Sequence, residues 1–402
     1  MACEDDFCEN YLVIKPEQAS CLDLVRILCS DDLEKRDFFN TRVLQGGSTR
    51  FRHRWIVFIS VLLQKVLLYL KKPVASVGSA VELLLNFPAA NGGYRRLFCN
   101  LFTGRVVRPD KSSATYTSVS GNVDKRLDLD KNYQELNTTY AMMFQDKNVD
   151  PDLIIISFRG TEPFDTNTWR TDIDISWYEF QGIGKIHGGF MKALGLQKST
   201  GWPKDISSGS DRKSYAYYTI REKLKTLVQE NGNAKFILTG HSMGGALAIL
   251  FAGVLAIHEE ELLLKRLEGV YTFGQPRVGD EQFGEYMKGK MMEHDVKYFR
   301  YVYSNDMVLE EEPNKNYFSL LHVVPKILNA VYELIRGFIL PWTKGEEYRE
   351  GWFMKLFRVT ALVIPGLTDH FLVDYVNLTR LGKLPSSIYV YPRGPNQNPK
   401  QD

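Results

Sequence analysis

One stretch constrains this chain more than any other: Lys235-Phe-Ile-Leu-Thr-Gly-His-Ser-Met-Gly-Gly-Ala-Leu-Ala-Ile-Leu250. The apolar run Phe236, Ile237, Leu238 reads as a buried strand, and Ala246 to Ile257 reads as a helix. Between them lies Gly240-His241-Ser242-Met243-Gly244. A bare G-x-S-x-G arises by chance in on the order of one in six chains of this length, so the weight rests on its flanks. A strand before and a helix after make it a nucleophile elbow. A serine displayed on so tight a turn needs neighbours without a Cβ, and Gly240 and Gly244 supply them. The Met243 N–H and the positive end of the helix then face a developing oxyanion.

A length of 402 residues fits one elaborated domain or two. The net charge of +2 gives no basic excess, so nucleic acid is not an expected partner. The five cysteines, Cys3, Cys8, Cys21, Cys29 and Cys99, all lie in the first quarter. Their number is odd and no C-x-x-C pair occurs, which argues for reduced thiols, no zinc site and a cytosol-facing protein. The acidic start, Met-Ala-Cys-Glu-Asp-Asp, carries no signal-peptide pattern, so secretion is not expected.

Trp55 to Leu70 is the most apolar stretch, flanked by Arg52, Arg54, Lys71 and Lys72. As a helix it would reach about 24 Å, short of a hydrocarbon core of roughly 30 Å, and Gln64 and Lys65 interrupt it. Its basic and aromatic ends suit a helix lying in a membrane or droplet surface; a helix buried against the main domain is the alternative. A second apolar segment, Val81 to Phe87, stops at Pro88 and could fold back as a hairpin. Residues 105–128 lack periodicity and mark a boundary. The expected organisation is an apolar N-terminal region over 1–104, a catalytic domain over 105–385 with a helical insertion at 314–365, and a polar tail over 386–402.

A helix is expected through Tyr133 to Phe144, then a buried strand, Leu153 to Phe158. That strand ends in Arg159-Gly160-Thr161-Glu162-Pro163, at the edge where α/β proteins hold ligands. Gly160 allows close backbone approach, and Thr161 can offer an N–H and a hydroxyl to an oxyanion. Trp169, Ile173 and Trp177 fall at i, i+4, i+8, a stripe suited either to a lid over an apolar site or to an ordinary packed helix. His187, beside Gly188-Gly189, reads as a structural histidine. Strands are expected at Gly269–Phe273 and Tyr298–Tyr303. Strands alternating with helices indicate an α/β protein with a mostly parallel sheet.

A serine nucleophile needs a histidine base and a carboxylate to orient it, in the order Ser, acid, His for this fold class. His258 lies 16 residues down the elbow's own helix, about 24 Å away. His294 precedes a strand, and His322 sits in an apolar helical segment. His370, in the loop Gly366-Leu-Thr-Asp-His370, is the preferred base. Asp306 ends a strand and is the preferred acid; Asp369 adjoins the histidine and Asp295 starts a strand at the wrong end of the sheet.

Phe158-Arg-Gly-Thr161, His187-x-Gly-Phe190, Gly240-His-Ser-Met-Gly-Gly245, Thr272-Phe-Gly-Gln-Pro-Arg-Val-Gly279, Asn305-Asp306 and His370 together resemble the class 3 lipases over about residues 130–385. Within them, the apolar N-terminal segment and the long stretch from Asp306 to His370 resemble the plant oil-body lipases. The resemblance implies an α/β-hydrolase fold, a Ser242, Asp306, His370 triad, oxyanion donors at Thr161 and Met243, and a lid at 162–177. It also implies an acylglycerol substrate, most of all triacylglycerol, met at a lipid droplet or the cytosolic face of a membrane, with no metal or organic cofactor. Galactolipid and phospholipid are alternative substrates, and a catalytically weak membrane scaffold is the reading from another class. One departure stands out: the family continues its acid as Asn-Asp-x-Val-Pro, whereas Asp306 here runs through Met307-Val308-Leu309 to Pro313 in a shortened loop. Beyond it, Val324, Ile327, Leu328, Val331, Leu334, Ile335 and Phe338 repeat at helical spacing opposite Lys326, Glu333 and Arg336. Interfacial helices or extra core would both give that pattern.

Overall fold

The computed structural model describes residues 8, 10–29, 37–42, 51–110, 139–146, 151–196, 204, 215–303, 320–360, 362 and 368–382. The chain divides into two compact units, one from Met1–Tyr140 with Thr161–Arg221, the other from Ala141–Gly160 with Glu222–Asp402. Most of the boundary expected at 105–128, and the tail at 386–402, lie outside the described residues.

The first unit holds strands β1 (Asn10–Ile14) and β2 (Phe39–Arg42), with helix α1 (Cys21–Cys29) between them. Helix α2 (Phe51–Ala90) and helix α3 (Tyr94–Thr103) follow, then helix α4 (Thr166–Ile173). Strands β5 (Trp177–Phe180) and β6 (Gly184–His187) and the short helix α5 (Gly188–Ala193) complete it. The sheet is ordered β2-β1-β5-β6, and all three pairings are antiparallel. Ile14, Ala19, Ile27, Phe38, Val57 and Val61 form its core, so one face of α2 is packed.

The two apolar segments expected to form a hairpin are instead one continuous helix, α2, with Pro73 and Pro88 inside it. Pro73 is exposed, so the carbonyl that loses its intrahelical partner there can be met by water. Gln64 and Lys65, which break the apolar run, belong to the packed side. Gln64 is buried and donates to Ser60 Oγ at 3.2 Å. Lys65 Nζ caps the carbonyls of Pro16, at 3.4 Å, and Ala19. Outward from α2 point Trp55, Ile56, Ile59, Leu62, Leu63, Val66 and Leu70. No helix among the described residues is long and apolar enough to cross a membrane.

The second unit is built on the sheet β3-β4-β7-β8-β9. Its strands are β3 (Ala141–Asp146), β4 (Leu153–Phe158), β7 (Lys235–His241), β8 (Leu267–Phe273) and β9 (Lys297–Tyr301). β4, β7, β8 and β9 run parallel, and β3 pairs antiparallel at the β4 edge. The helix expected through Phe144 is therefore a strand at 141–146. Met142 and Phe144 are exposed and Ala141 and Met143 half-buried, as in a half-covered edge strand. Helix α6 (Ala216–Glu230) carries the chain into this unit, and α7 (Met243–Ile257), apolar throughout and buried from Met243 to Ala256, lies against β4, β7 and β8. Helices α8 (Glu261–Leu264) and α9 (Glu281–Glu293) flank the later strands. The register aligns Phe158 with Gly240 and Gly240 with Thr272, so β4, β7 and β8 end together. The turns that follow share one edge.

The remaining helices are α10 (Leu320–Thr343), α11 (Trp352–Thr360) and α12 (Leu372–Leu381). Their polarity is inverted. Lys326, Glu333, Glu350, Arg358 and Asp374 are buried, whereas Val324, Leu328, Val331, Ile335, Phe338 and Trp342 are exposed. Those six recur at i, i+4, i+7, i+11, i+14 and i+18, a single stripe along α10. Trp342, at its end, is 89% exposed.

Candidate active site

The elbow is a strained turn. β7 ends at His241, Ser242 has φ 57° and ψ −130°, and α7 starts at the next residue. A β carbon on Gly240 would lie 2.3 Å from the Gly244 backbone. One on Gly244 would meet the Phe158 carbonyl oxygen at 2.2 Å, and one on Gly160 the His241 carbonyl oxygen at 2.6 Å. Three glycines therefore let the β4 and β7 turns press together. The Ser242 N–H donates to the Phe273 carbonyl at 2.9 Å, tying the turn to the end of β8.

His370 closes a 3-10 turn, Thr368–His370, just before α12, and its Nε2 lies 2.8 Å from Ser242 Oγ. This is the hydrogen bond through which an imidazole can take the serine proton. Asp369 is buried and accepts from Asn329 Nδ2 at 3.2 Å. Asp306 and its loop, residues 304–319, lie outside the described residues; β9 leads into them from the edge where the other parallel strands end. The expected alternative base His322 is on α10, and its side chain is not described.

Thr161 follows Gly160 directly. Its hydroxyl donates to Asp172 Oδ2 at 2.5 Å, and the Glu162 N–H donates to Thr168 Oγ1 at 3.2 Å. The hydroxyl is thus committed within its own loop. Met243 opens α7 and is buried. Of the residues expected in a lid, Trp169 is exposed and donates from Nε1 to the Pro163 carbonyl at 3.3 Å, and the Ile173 carbonyl accepts from Ser60 Oγ of α2 at 2.8 Å. Trp177 is not on that helix: α4 stops at Ile173 and Trp177 begins β5, paired with His187, with Lys185 Nζ 4.5 Å from its ring centre. Asp174, held ionised by Lys192 at 2.6 Å against the cost of burial, makes this break by binding Ser176 N and Oγ.

His187 accepts from the Phe190 N–H at 3.3 Å and stacks on the Phe190 ring. Burial depresses its pKa to about 4, so it is a neutral structural group at neutral pH. Among the described residues no cluster of three His, Cys, Asp or Glu could hold a metal ion.

Periodicity gave no sign of the polar groups behind His370. Arg358, 2% exposed, donates to Glu350 Oε2 at 2.8 Å and Asp374 Oδ1 at 2.7 Å, four residues past His370. Burial alone would lower the Arg358 pKa; its bonds to Glu350 and Asp374 outweigh that and raise it. Tyr303 donates to Glu333 Oε1 at 2.8 Å, and its N–H donates to the Tyr375 hydroxyl at 3.2 Å. Only the excess of charge in an apolar repeat hinted at this cluster.

The family model described as lipase (class 3) matches residues 155–314. The triacylglycerol lipase OBL1 of Arabidopsis thaliana is 34% identical over 491 aligned positions, covering 93% of this chain and 95% of that protein. That alignment is longer than this chain, so the relative carries segments absent here. The triacylglycerol lipase OBL1 of Nicotiana tabacum is 33% identical over 83% of this chain and 84% of its own length. Among solved structures, the lipase of Rhizopus microsporus var. chinensis matches 44% of this chain and 52% of its own at 24% identity, with a TM-score of 0.33. The mostly parallel sheet and its elbow form an α/β-hydrolase fold. By the extent of its likeness to the plant relatives, the chain belongs to the class 3 lipase family, and it is a lipase, a carboxylic ester hydrolase.

Proposed function

We propose that the chain hydrolyses triacylglycerol at the surface of a lipid droplet or membrane, with Ser242 as nucleophile, His370 as base and Asp306 as the carboxylate that orients it. The observation that carries this reading is the 2.8 Å contact of Ser242 Oγ and His370 Nε2 on a strained elbow. Ser242 Oγ attacks the ester carbonyl as its proton passes to His370 Nε2. The oxyanion is met by the N–H groups of Thr161 and Met243. Collapse breaks the ester bond, His370 returns the proton to the departing diacylglycerol oxygen, and an acyl-serine remains. Water, deprotonated by His370, then attacks the acyl carbon and releases the fatty acid with Ser242 restored.

The substrate reading is supported by the names of the Arabidopsis and Nicotiana relatives. The surface reading is supported by the outward apolar residues of α2 and, separately, of α10. Trp169 and Ile173 of α4 are proposed to belong to a lid. Ile173 is hydrogen bonded to α2, so in this reading the lid segment and the lipid-facing helix are linked within one unit. A phospholipid substrate is the second reading, favoured by 37% identity to an Arabidopsis phospholipase A1 over 23% of this chain.

Fatty-acid release from emulsified triacylglycerol and from phospholipid vesicles, by the wild type and Ser242→Ala, tests both. Release from triacylglycerol that falls on the order of 10⁴-fold or more in the variant is expected. Serine-dependent release from phospholipid alone would replace the substrate, and no release from either would overturn the reading.

A further inference from the structure

His241 sits between the last strand residue buried in the sheet and the nucleophile, a position where G-x-S-x-G specifies no residue. Its side chain does not turn to solvent. Nε2 lies 2.8 Å from the carbonyl oxygen of His370, 129 residues away in sequence. Its ring lies 4.8 Å from the His370 ring and 5.3 Å, edge to face, from that of Tyr375. Tyr375 is fully buried and is itself held by the N–H of Tyr303, so the surface against which His241 rests is fixed.

A carbonyl oxygen can only accept, so Nε2 of His241 must carry the hydrogen. The contact therefore assigns the tautomer: Nε2–H donates to the main chain of the base. His241 is also covalently joined to Ser242. Two hydrogen bonds thus run between the elbow and the His370 turn, Ser242 Oγ to the imidazole and His241 Nε2 to the backbone of the same residue. The first changes as a proton moves during turnover. The second uses groups that keep their protons throughout. In the proposed triad Asp306 orients the ring, while the His241 bond fixes the main chain that carries it, and a shift of about 1 Å costs on the order of 100-fold in rate.

We propose that His241 is a positioning residue for the reaction: its Nε2–H, anchored on the His370 carbonyl, sets the separation between base and nucleophile without taking part in proton transfer. The inference rests on the Ser242 and His370 assignment of the preceding subsection. It separates two properties of the side chain. The donor at the Nε2 position matters; the imidazole's capacity to titrate does not.

The test uses the full chain and a soluble short-chain ester, p-nitrophenyl butyrate, which removes any need for a lipid surface. His241→Gln places an amide nitrogen near the Nε2 position, whereas the shorter His241→Asn leaves it short of the carbonyl. His241→Leu fills the space with no donor. In His241→Leu and His241→Asn we expect kcat to fall ~10- to 100-fold with KM nearly unchanged. The rate at which a p-nitrophenyl phosphonate labels Ser242 should fall in parallel. His241→Gln should recover kcat to within about five-fold of wild type. Should His241→Leu fail to fold, the Gln and Asn pair carries the comparison. Equal kcat in those two, or wild-type kcat in His241→Leu, overturns the proposal. His370→Ala is the control for its foundation. If that variant keeps wild-type activity, the base assignment fails; if it is inactive while His241→Leu is not, the positioning role alone fails.

Discussion

Helices α7 and α10 belong to the same unit and are both rich in aliphatic residues, yet they solve opposite problems. In α7 every residue from Met243 to Ala256 is buried, and the Phe251 ring lies 5.8 Å from that of Phe158 at the end of β4. In α10 Val324, Leu328, Val331 and Ile335 face out, with Leu328 64% exposed, while Lys326, Glu333 and, through α11, Arg358 occupy the inside. The first helix is ordered by expulsion of apolar surface from water. In the second, Glu333 meets Arg336 and the Tyr303 hydroxyl on the inner side, and the apolar stripe is left exposed. Burial of paired charge adds little net stability; what the polar interior of α10, α11 and α12 supplies is a fixed seat for the helix that follows His370.

The polar interior depends most on Arg358. Arg358→Leu leaves the Glu350 and Asp374 carboxylates buried without their cation, and a loss of ~3–5 kcal/mol is expected in chemical denaturation. Replacing all three together by apolar residues should recover much of that loss. In the apolar helix, Leu250→Ala removes buried methyl groups and should cost ~2–5 kcal/mol by the same measurement.

A pH dependence follows from the polar interior alone. Burial, with Glu333 and Glu350 nearby, raises the Asp374 pKa to about 6 from 3.8, although Arg358 pulls it down. The folded protein then binds more protons than the unfolded chain between those values. The stabilising contribution is complete below about 3.8 and is lost as pH rises through 6, by at most ~3 kcal/mol. Wild type should therefore lose stability relative to Asp374→Asn on going from pH 4.5 to pH 7; a constant difference would contradict the assigned direction. The smallest effect should come from the substitution that matches Leu250→Ala in chemistry: Leu328→Ala should change stability by no more than ~0.5 kcal/mol.

The sequence carried the elbow because everything that makes it is local. A run of strand length, glycines two residues either side of Ser242, and a helix beginning at once are all read within sixteen residues. The parallel strands β4, β7 and β8 were legible for the same reason, as short apolar runs ending at glycine or serine turns. Misreadings arose where local signals admit two structures. The segment before Asp146 has apolar residues that fit a helix face or the two sides of an edge strand, and pairing with β4 decided it. Pro88 read as a stop, but α2 runs through it, as it does through Pro73. Trp177 kept the spacing of a helix that Asp174 terminates. Periodicity showed the two faces of α10 without showing which faced in, because the partners that draw Glu333 and Arg358 inward lie on other elements. His241 carried no signal at all; only the fold brings it to the carbonyl of His370.

In the proposed function this lipase meets its substrate across outward apolar faces. The measurement closest to it is the ratio of activity on emulsified triacylglycerol to activity on soluble p-nitrophenyl butyrate, for wild type and for Leu328→Glu, Ile335→Glu, Phe338→Glu combined. All three residues are exposed and outside the catalytic machinery. The soluble activity should persist and the ratio should fall by about ten-fold or more, since each change removes apolar contact and adds charge at the proposed lipid boundary. An unchanged ratio in a folded variant would contradict the claim that the inverted helices face lipid.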